Sequence, residues 1–150
     1  MLESTYVVLC SRVIIDRETG AMSLIEMIDM AQVPAGLAAL HRVVVPLDFF
    51  VVSGWRRDDA TPPLKFPIRI TLSGPGGKLL LSEQEMKLDP NHLGTVAARV
   101  QGLPIQGPGQ YRIGVEWHDP HDLAWKEGPW AGLWIPPFEQ PAPANPETHG

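Results

Sequence analysis

The stretch Gly107-Pro108-Gly109-Gln110-Tyr111-Arg112-Ile113-Gly114-Val115-Glu116-Trp117 combines a sharp turn with the start of a strand. Its large apolar side chains occupy every second position, and polar or small residues stand between them. Because successive side chains of a strand point to opposite faces, this spacing predicts one buried and one solvated face. We expect the core to be built on the buried face, which carries Tyr111, Ile113, Val115 and Trp117.

The strongest period of two residues in the chain runs over residues 64–72, where Leu, Phe and Ile alternate with polar residues and proline. Gly74-Pro75-Gly76-Gly77 then predicts a hairpin turn into residues 78–88. On this second strand we expect three residues to face inward, namely Leu80, Met86 and Leu88. Further strands are predicted at residues 6–15, 21–33, 43–55, 95–103 and 130–135, with Pro46 marking an edge or a bulge.

Short strands separated by turn residues, without a long amphipathic helix, predict an all-β fold. We expect residues 1–136 to form a single antiparallel β-sandwich of the Ig-like, Greek-key kind, with about seven or eight strands. Residues 34–41 begin with proline and contain helix formers, which predicts a short crossover helix. Residues 137–150 are rich in proline and poor in apolar side chains, which predicts a disordered tail.

The net negative charge of the chain comes from the residues near its C-terminal end. Six acidic residues from Glu116 onward are opposed only by Lys126, while the preceding residues carry eleven charges of each sign. Without a basic stripe we expect no nucleic-acid partner, and without a long apolar run we expect no membrane. The single cysteine, Cys10, excludes a disulfide framework and fits a buried apolar position, so a cytoplasmic location is expected.

Three pieces of the chain, taken in order, resemble a family of small uncharacterised bacterial β-sandwich proteins. They are Tyr6-Val7-Val8-Leu9-Cys10 with its partner Met22-Ser23-Leu24-Ile25, the turn Leu72-Ser73-Gly74-Pro75-Gly76-Gly77, and Pro108-Gly109-Gln110-Tyr111. The resemblance covers the organisation of residues 5–117 and implies the same β-sandwich fold. Its motifs are structural, so it implies no catalytic residue and no cofactor.

Two features could carry function. Residues 118–122 place four potential metal ligands at the end of a strand, His118, Asp119, His121 and Asp122. Zinc would accept these donors, and calcium would accept the carboxylates, although Asp-Pro is also ordinary turn chemistry.

The second feature is a concentration of tryptophans after residue 116. Trp117 and Trp134 are assigned to strands, which leaves Trp125 and Trp130 as a possible contact surface for a protein or a sugar.

Motifs of known enzyme classes do not fit the chain. Residues 72–78 resemble a phosphate-binding loop only superficially, because Leu72 replaces its first glycine and a strand follows where a helix should begin. We therefore expect no enzyme and no cofactor, but a soluble, non-catalytic binding or assembly module with a protein partner or a second copy. The alternatives are a β-sandwich that binds a small ligand, carbohydrate or metal, and an unrecognised hydrolase.

Overall fold

The computed structural model describes residues 2–33, 42–58, 63–90 and 93–137. These residues form eight strands: β1 (Leu2–Ile15), β2 (Met22–Met27), β3 (Val43–Arg57), β4 (Leu64–Gly74), β5 (Gly77–Leu88), β6 (Leu93–Ile105), β7 (Gly109–His118) and β8 (Trp125–Ile135). They contain no helix, so none of the described segments could cross a membrane as a helix. The predicted crossover helix at residues 34–41 and nearly all of the proline-rich segment lie outside the described residues.

The strands form two four-stranded sheets. The first sheet has the order β2-β1-β3-β6 and the second has the order β5-β4-β7-β8, with every neighbouring pair antiparallel. The inner faces of both sheets contribute to one hydrophobic core, which is the arrangement of a β-sandwich. The all-β sandwich prediction is therefore confirmed, with eight strands among the described residues.

An aromatic cluster lies at one end of the core. The Trp55 ring of β3 meets the Phe66 ring at a centroid distance of 4.9 Å and the Trp117 ring at 5.3 Å, both edge to face. Edge-to-face contacts of this kind add about 0.5–1.5 kcal/mol to the burial of each pair. The cluster joins β3, one of the two central strands of the first sheet, to β4 and β7, the two central strands of the second.

The turn and strand at residues 107–117 fold as the sequence predicts. All four predicted core side chains of β7 are buried. The Tyr111 hydroxyl donates to the Gly107 carbonyl at 2.7 Å and accepts from the Gln106 backbone N–H at 2.9 Å. Tyr111 thus fills the core with its ring and holds the preceding turn with its hydroxyl.

Bulges explain where simple alternation fails. Pro46 lies in a register shift between Val45 and Asp48, in agreement with the prediction. The expected inward position of Leu80 is wrong: Leu80 is 56% exposed, and the extra residue Leu81 packs against the core instead. The cause is a second register shift, opposite Ile70, which reverses the alternation of β5 toward its start.

The first hairpin ends earlier than the apolar sequence predicts. Strand β2 ends at Met27 rather than near residue 33, just after Glu26 adopts a left-handed backbone with φ of 56°. The chain then leaves the first sheet and reaches the edge of the second. There the Trp134 N–H donates to the Asp29 carbonyl at 2.8 Å, and the Ala31 N–H donates to the Trp134 carbonyl at 3.1 Å.

Candidate functional site

Strand β8 presents three tryptophans on the outer face of the second sheet. Trp125 lies opposite His118, Trp130 opposite Gly114, and Trp134 opposite Gln110. These three positions of β7 alternate with its buried residues and therefore face outward. Trp130 is 52% exposed and Trp134 is 42% exposed. We call Trp125, Trp130 and Trp134 the tryptophan row.

A bulge in β8 creates this row. Without it, residues 125 and 130 would point to opposite faces, since they are separated by an odd number of positions. The register shifts by one residue between Glu127 and Trp130, and both then lie on the outer side. Gly128 permits the bulge, because a Cβ atom there would lie 2.8 Å from the Trp117 ring. The sequence signal for the bulge is the Gly128-Pro129 pair.

Trp134 belongs to the last strand as predicted, but it does not face the core. Leu133 and Ile135 occupy the inward positions at the end of β8, so Trp134 between them points outward. Trp117, by contrast, is buried as expected. Trp134 therefore extends the surface that the sequence limited to Trp125 and Trp130.

Two arginines stack on the row. The guanidinium carbon of Arg69 lies 3.7 Å from the centre of the Trp125 ring, and that of Arg112 lies 4.2 Å from the centre of the Trp130 ring. The edge of His118 also contacts Trp125, with a centroid distance of 5.6 Å. Cation–π contacts at exposed sites contribute about 0.5–1 kcal/mol each and restrict the rotation of the rings. Two members of the row, Trp125 and Trp130, are thus held in place before any partner binds.

A groove of about 230 Å³ lies beside Trp130. We call it the Trp130 groove. Its lining comes from all four strands of the second sheet: Thr71, Ser73, Lys78, Arg112, Gly114, Val115, Glu116, Glu127, Gly128 and Trp130. Lys78 forms ion pairs with Glu116 and with Glu127, the latter at 3.7 Å. The hydrogen bond to Glu116 raises the pKa of Lys78, so this lysine is charged at neutral pH.

The loop at residues 118–122 is organised by a lysine. Asp119 is buried; one of its oxygens accepts the His121 N–H at 2.9 Å and the other pairs with Lys126 at 3.3 Å. Burial acts to raise the pKa of Asp119, but the His121 N–H and the Lys126 ammonium outweigh it, and the pKa is lowered. Asp122 pairs with the same ammonium at 3.1 Å.

The four predicted metal ligands do not converge. His118 packs on Trp125, while Asp119 and Asp122 both bind Lys126. Across residues 2–33, 42–58, 63–90 and 93–137, no three His, Cys, Asp or Glu side chains are grouped to hold a metal ion. The geometry of the loop therefore favours a structural role, in which Lys126 supplies the positive charge.

Sequence reasoning missed the arginines and the groove. The signal was present, because Arg112, Gly114 and Glu116 fall on the solvated face of β7 by simple alternation. What the sequence could not show is that β4 and β8 flank β7 and bring Arg69 and Trp130 beside it.

A comparison with models of protein families found no match, and a comparison with curated proteins found no significantly similar sequence.

Proposed function

We propose that the protein is a non-catalytic binding module with an Ig-like β-sandwich, and that the tryptophan row is its contact surface. The observation that carries this proposal is the alignment of three tryptophans on one sheet face, two of them fixed by stacked arginines. Tryptophan and arginine are the residues most enriched among those that dominate binding energy. Side chains already held in position also lose less conformational entropy when a partner binds.

The strand order supports an Ig-like assignment. With β1, β3 and β6 taken as strands A, B and E, the strands β4, β5, β7 and β8 correspond to C, C′, F and G. Strand β2 is then an addition outside strand A. Tyr111 stands near the start of the strand that corresponds to F, and its hydroxyl binds back to Gly107, as in the tyrosine corner of such domains.

The partner that fits the row best is a protein or a second copy of this chain. Trp134 is joined through its backbone to the segment around Met30, which is also half exposed, so the apolar surface continues past the edge of the sheet. Exposed apolar residues that are contiguous mark interaction sites more often than scattered ones do. The acidic and basic residues around the row would form the polar rim of such an interface.

The test replaces Trp125 and Trp130 together with glutamine. The double variant should keep its far-ultraviolet circular dichroism spectrum but lose capture of a partner from host lysate, or lose self-association in sedimentation equilibrium. Leu93→Gln is a matched control, since Leu93 is an exposed apolar residue on the other sheet. The proposal fails if the wild-type protein is monomeric and captures nothing, or if the double variant unfolds.

A further inference from the structure

We propose that the Trp130 groove binds one ring of a neutral carbohydrate. This goes beyond the proposed contact surface, because it names a small ligand and requires no protein partner. The two proposals share Trp130 and the Arg112 that stacks on it, whereas Trp125 and Trp134 lie outside the groove, so the proposals can fail separately. Three properties of the groove lead to the carbohydrate: its size, its balance of charge and the aromatic wall.

The size of the groove fits a single ring. Pockets that hold drug-sized ligands measure about 300–1,000 Å³, and the groove is smaller, at about 230 Å³. Gly114 keeps it open, because this residue has no side chain and lies directly opposite Trp130. Thr71 lies on the other side of Gly114 in the same sheet. The space is therefore a shallow depression on the sheet rather than a tunnel for an extended chain.

The charges of the groove are balanced. Lys78 and Arg112 are opposed by Glu116 and Glu127, and Lys78 already pairs with both carboxylates. An ionic ligand would have to compete with these ion pairs. A sugar hydroxyl can donate to a carboxylate and accept from an ammonium or guanidinium at the same time, so it can bind without breaking them. Thr71 and Ser73 add two hydroxyls that can both donate and accept.

The aromatic wall supplies the apolar contact that such a ligand needs. A sugar ring has C–H faces as well as hydroxyls, and an indole offers a broad apolar surface with little side-chain entropy to lose. Trp130 forms this wall, and stacking by Arg112 restricts its ring. The Glu116 carboxylate is also held, since its side chain is only 14% exposed and binds Lys78. A preformed wall and a preformed polar group suit a small ligand that brings little binding energy of its own.

The experiment follows indole and backbone N–H signals by ¹H–¹⁵N NMR while neutral methyl glycosides are added. The probes are the methyl glycosides of glucose, galactose, mannose, xylose and N-acetylglucosamine, with inorganic phosphate and glycine as charged comparisons. At least one glycoside should shift the Trp130 indole and the Gly114 amide in a saturable way. The proposal is overturned if none of the glycosides does so, or if phosphate or glycine binds more tightly at the same signals.

Variants locate the site. Gly114→Val should weaken glycoside binding at least tenfold, since its methyl groups would occupy the groove. Gly114→Ala serves if the valine variant does not fold, because its Cβ would have ordinary contacts of 3.5 Å or more; it should also weaken binding. Trp125→Gln, which lies outside the groove, should leave glycoside binding unchanged even if it abolishes capture of a protein. Unchanged binding in a folded Gly114 variant would place the sugar elsewhere and overturn the proposal.

Discussion

At the scale of single residues, Trp117 combines a large buried ring with a buried donor that has no partner among the described residues. It is buried in the core and packs edge to face on Trp55, yet its indole N–H is buried without a hydrogen-bond partner among the described residues. An unpaired buried donor costs about 1–3 kcal/mol. The ring must offset this cost through its packing, which makes the position sensitive to size.

Replacement of Trp117 by alanine should lower the free energy of unfolding by about 3–5 kcal/mol, through the lost ring and the cavity left behind. Tyr111→Phe should cost less, because the ring stays and only the hydrogen bonds of the hydroxyl are lost. Urea unfolding followed by circular dichroism measures both variants. An unchanged midpoint for Trp117→Ala would mean that the register of β7 is wrong by one residue.

Asp119 should make stability depend on pH. Its pKa is lower in the folded protein, so its contribution is present above the pKa of the unfolded chain, about 3.9, and is lost as the pH falls through the folded value. Asp119→Asn should therefore have a lower melting temperature than the wild type at pH 7. The difference between the two melting temperatures should shrink below about pH 4.

Asp122→Asn is the matched control for this prediction, since Asp122 pairs with the same lysine through an exposed side chain. Exposed ion pairs contribute about 0–1 kcal/mol, so its effect should be small. Thermal melts of the three proteins across the acid range provide the measurement. A difference between wild type and Asp119→Asn that persists unchanged at pH 2 would contradict the assignment to the ionised carboxylate.

At the scale of strands, the sequence predicts faces well wherever the alternation is uninterrupted. The large apolar residues of β4 and β7 face the core as expected, because the two sheets leave each strand one dry side. Prediction fails at the bulge in β5, where one extra residue reverses the faces on either side. Leu80 is exposed for this reason. In β8 a bulge places Trp125 and Trp130 on one face, whereas the residue that the sequence analysis left out, Trp134, shares the face of Trp130 by simple alternation. The candidate site was therefore only partly predicted.

Gly54 and Gly74 each face a tyrosine ring across a neighbouring strand. A Cβ at Gly54 would lie 2.1 Å from the Tyr6 ring, and one at Gly74 would lie 2.3 Å from the Tyr111 ring. Tyr111 is buried and bound through its hydroxyl, whereas Tyr6 is 42% exposed and can turn away. Gly74→Ala should therefore cost about 1–3 kcal/mol as overpacking does, and Gly54→Ala should cost less.

Chemical unfolding of the two glycine variants tests this difference. Gly54→Ala should also release the Tyr6 ring from Thr95, whose hydroxyl lies 3.3 Å from the tyrosine oxygen. Removal of the ring in a Tyr6→Ala, Gly54→Ala double variant should then relieve the crowding. Equal losses for the two single variants would show that the exposed ring is no freer to move than the buried one.

At the scale of the whole molecule, the sequence predicts a sandwich but not how its strands are shared between sheets. Strand lengths and turns are local properties. The chain passes from the first sheet to the second between β3 and β4 and returns between β5 and β6, and these passages depend on which faces pack together. The backbone pairing between Met30 and Trp134 also depends on how the sheets pack, because the two residues are far apart in the sequence. The candidate site depends on this level of structure, since it collects side chains from β4, β5, β7 and β8.

The left-handed Glu26 has a consequence for how copies of the chain behave at high concentration. Strand β2 is an edge strand with apolar residues, and such edges can template aggregation. The left-handed backbone at Glu26 interrupts the regular edge with which an incoming strand would pair, and the Glu26 carboxylate accepts a hydrogen bond from the Ser11 hydroxyl of the neighbouring strand β1 at 2.9 Å. Glu26→Val should straighten this edge, because β-branched residues avoid positive φ, and should remove its charge. We expect light scattering to show faster growth of insoluble aggregates than for Glu18→Val, an exposed glutamate in the hairpin turn. Equal growth rates would mean that the fold is protected from aggregation elsewhere.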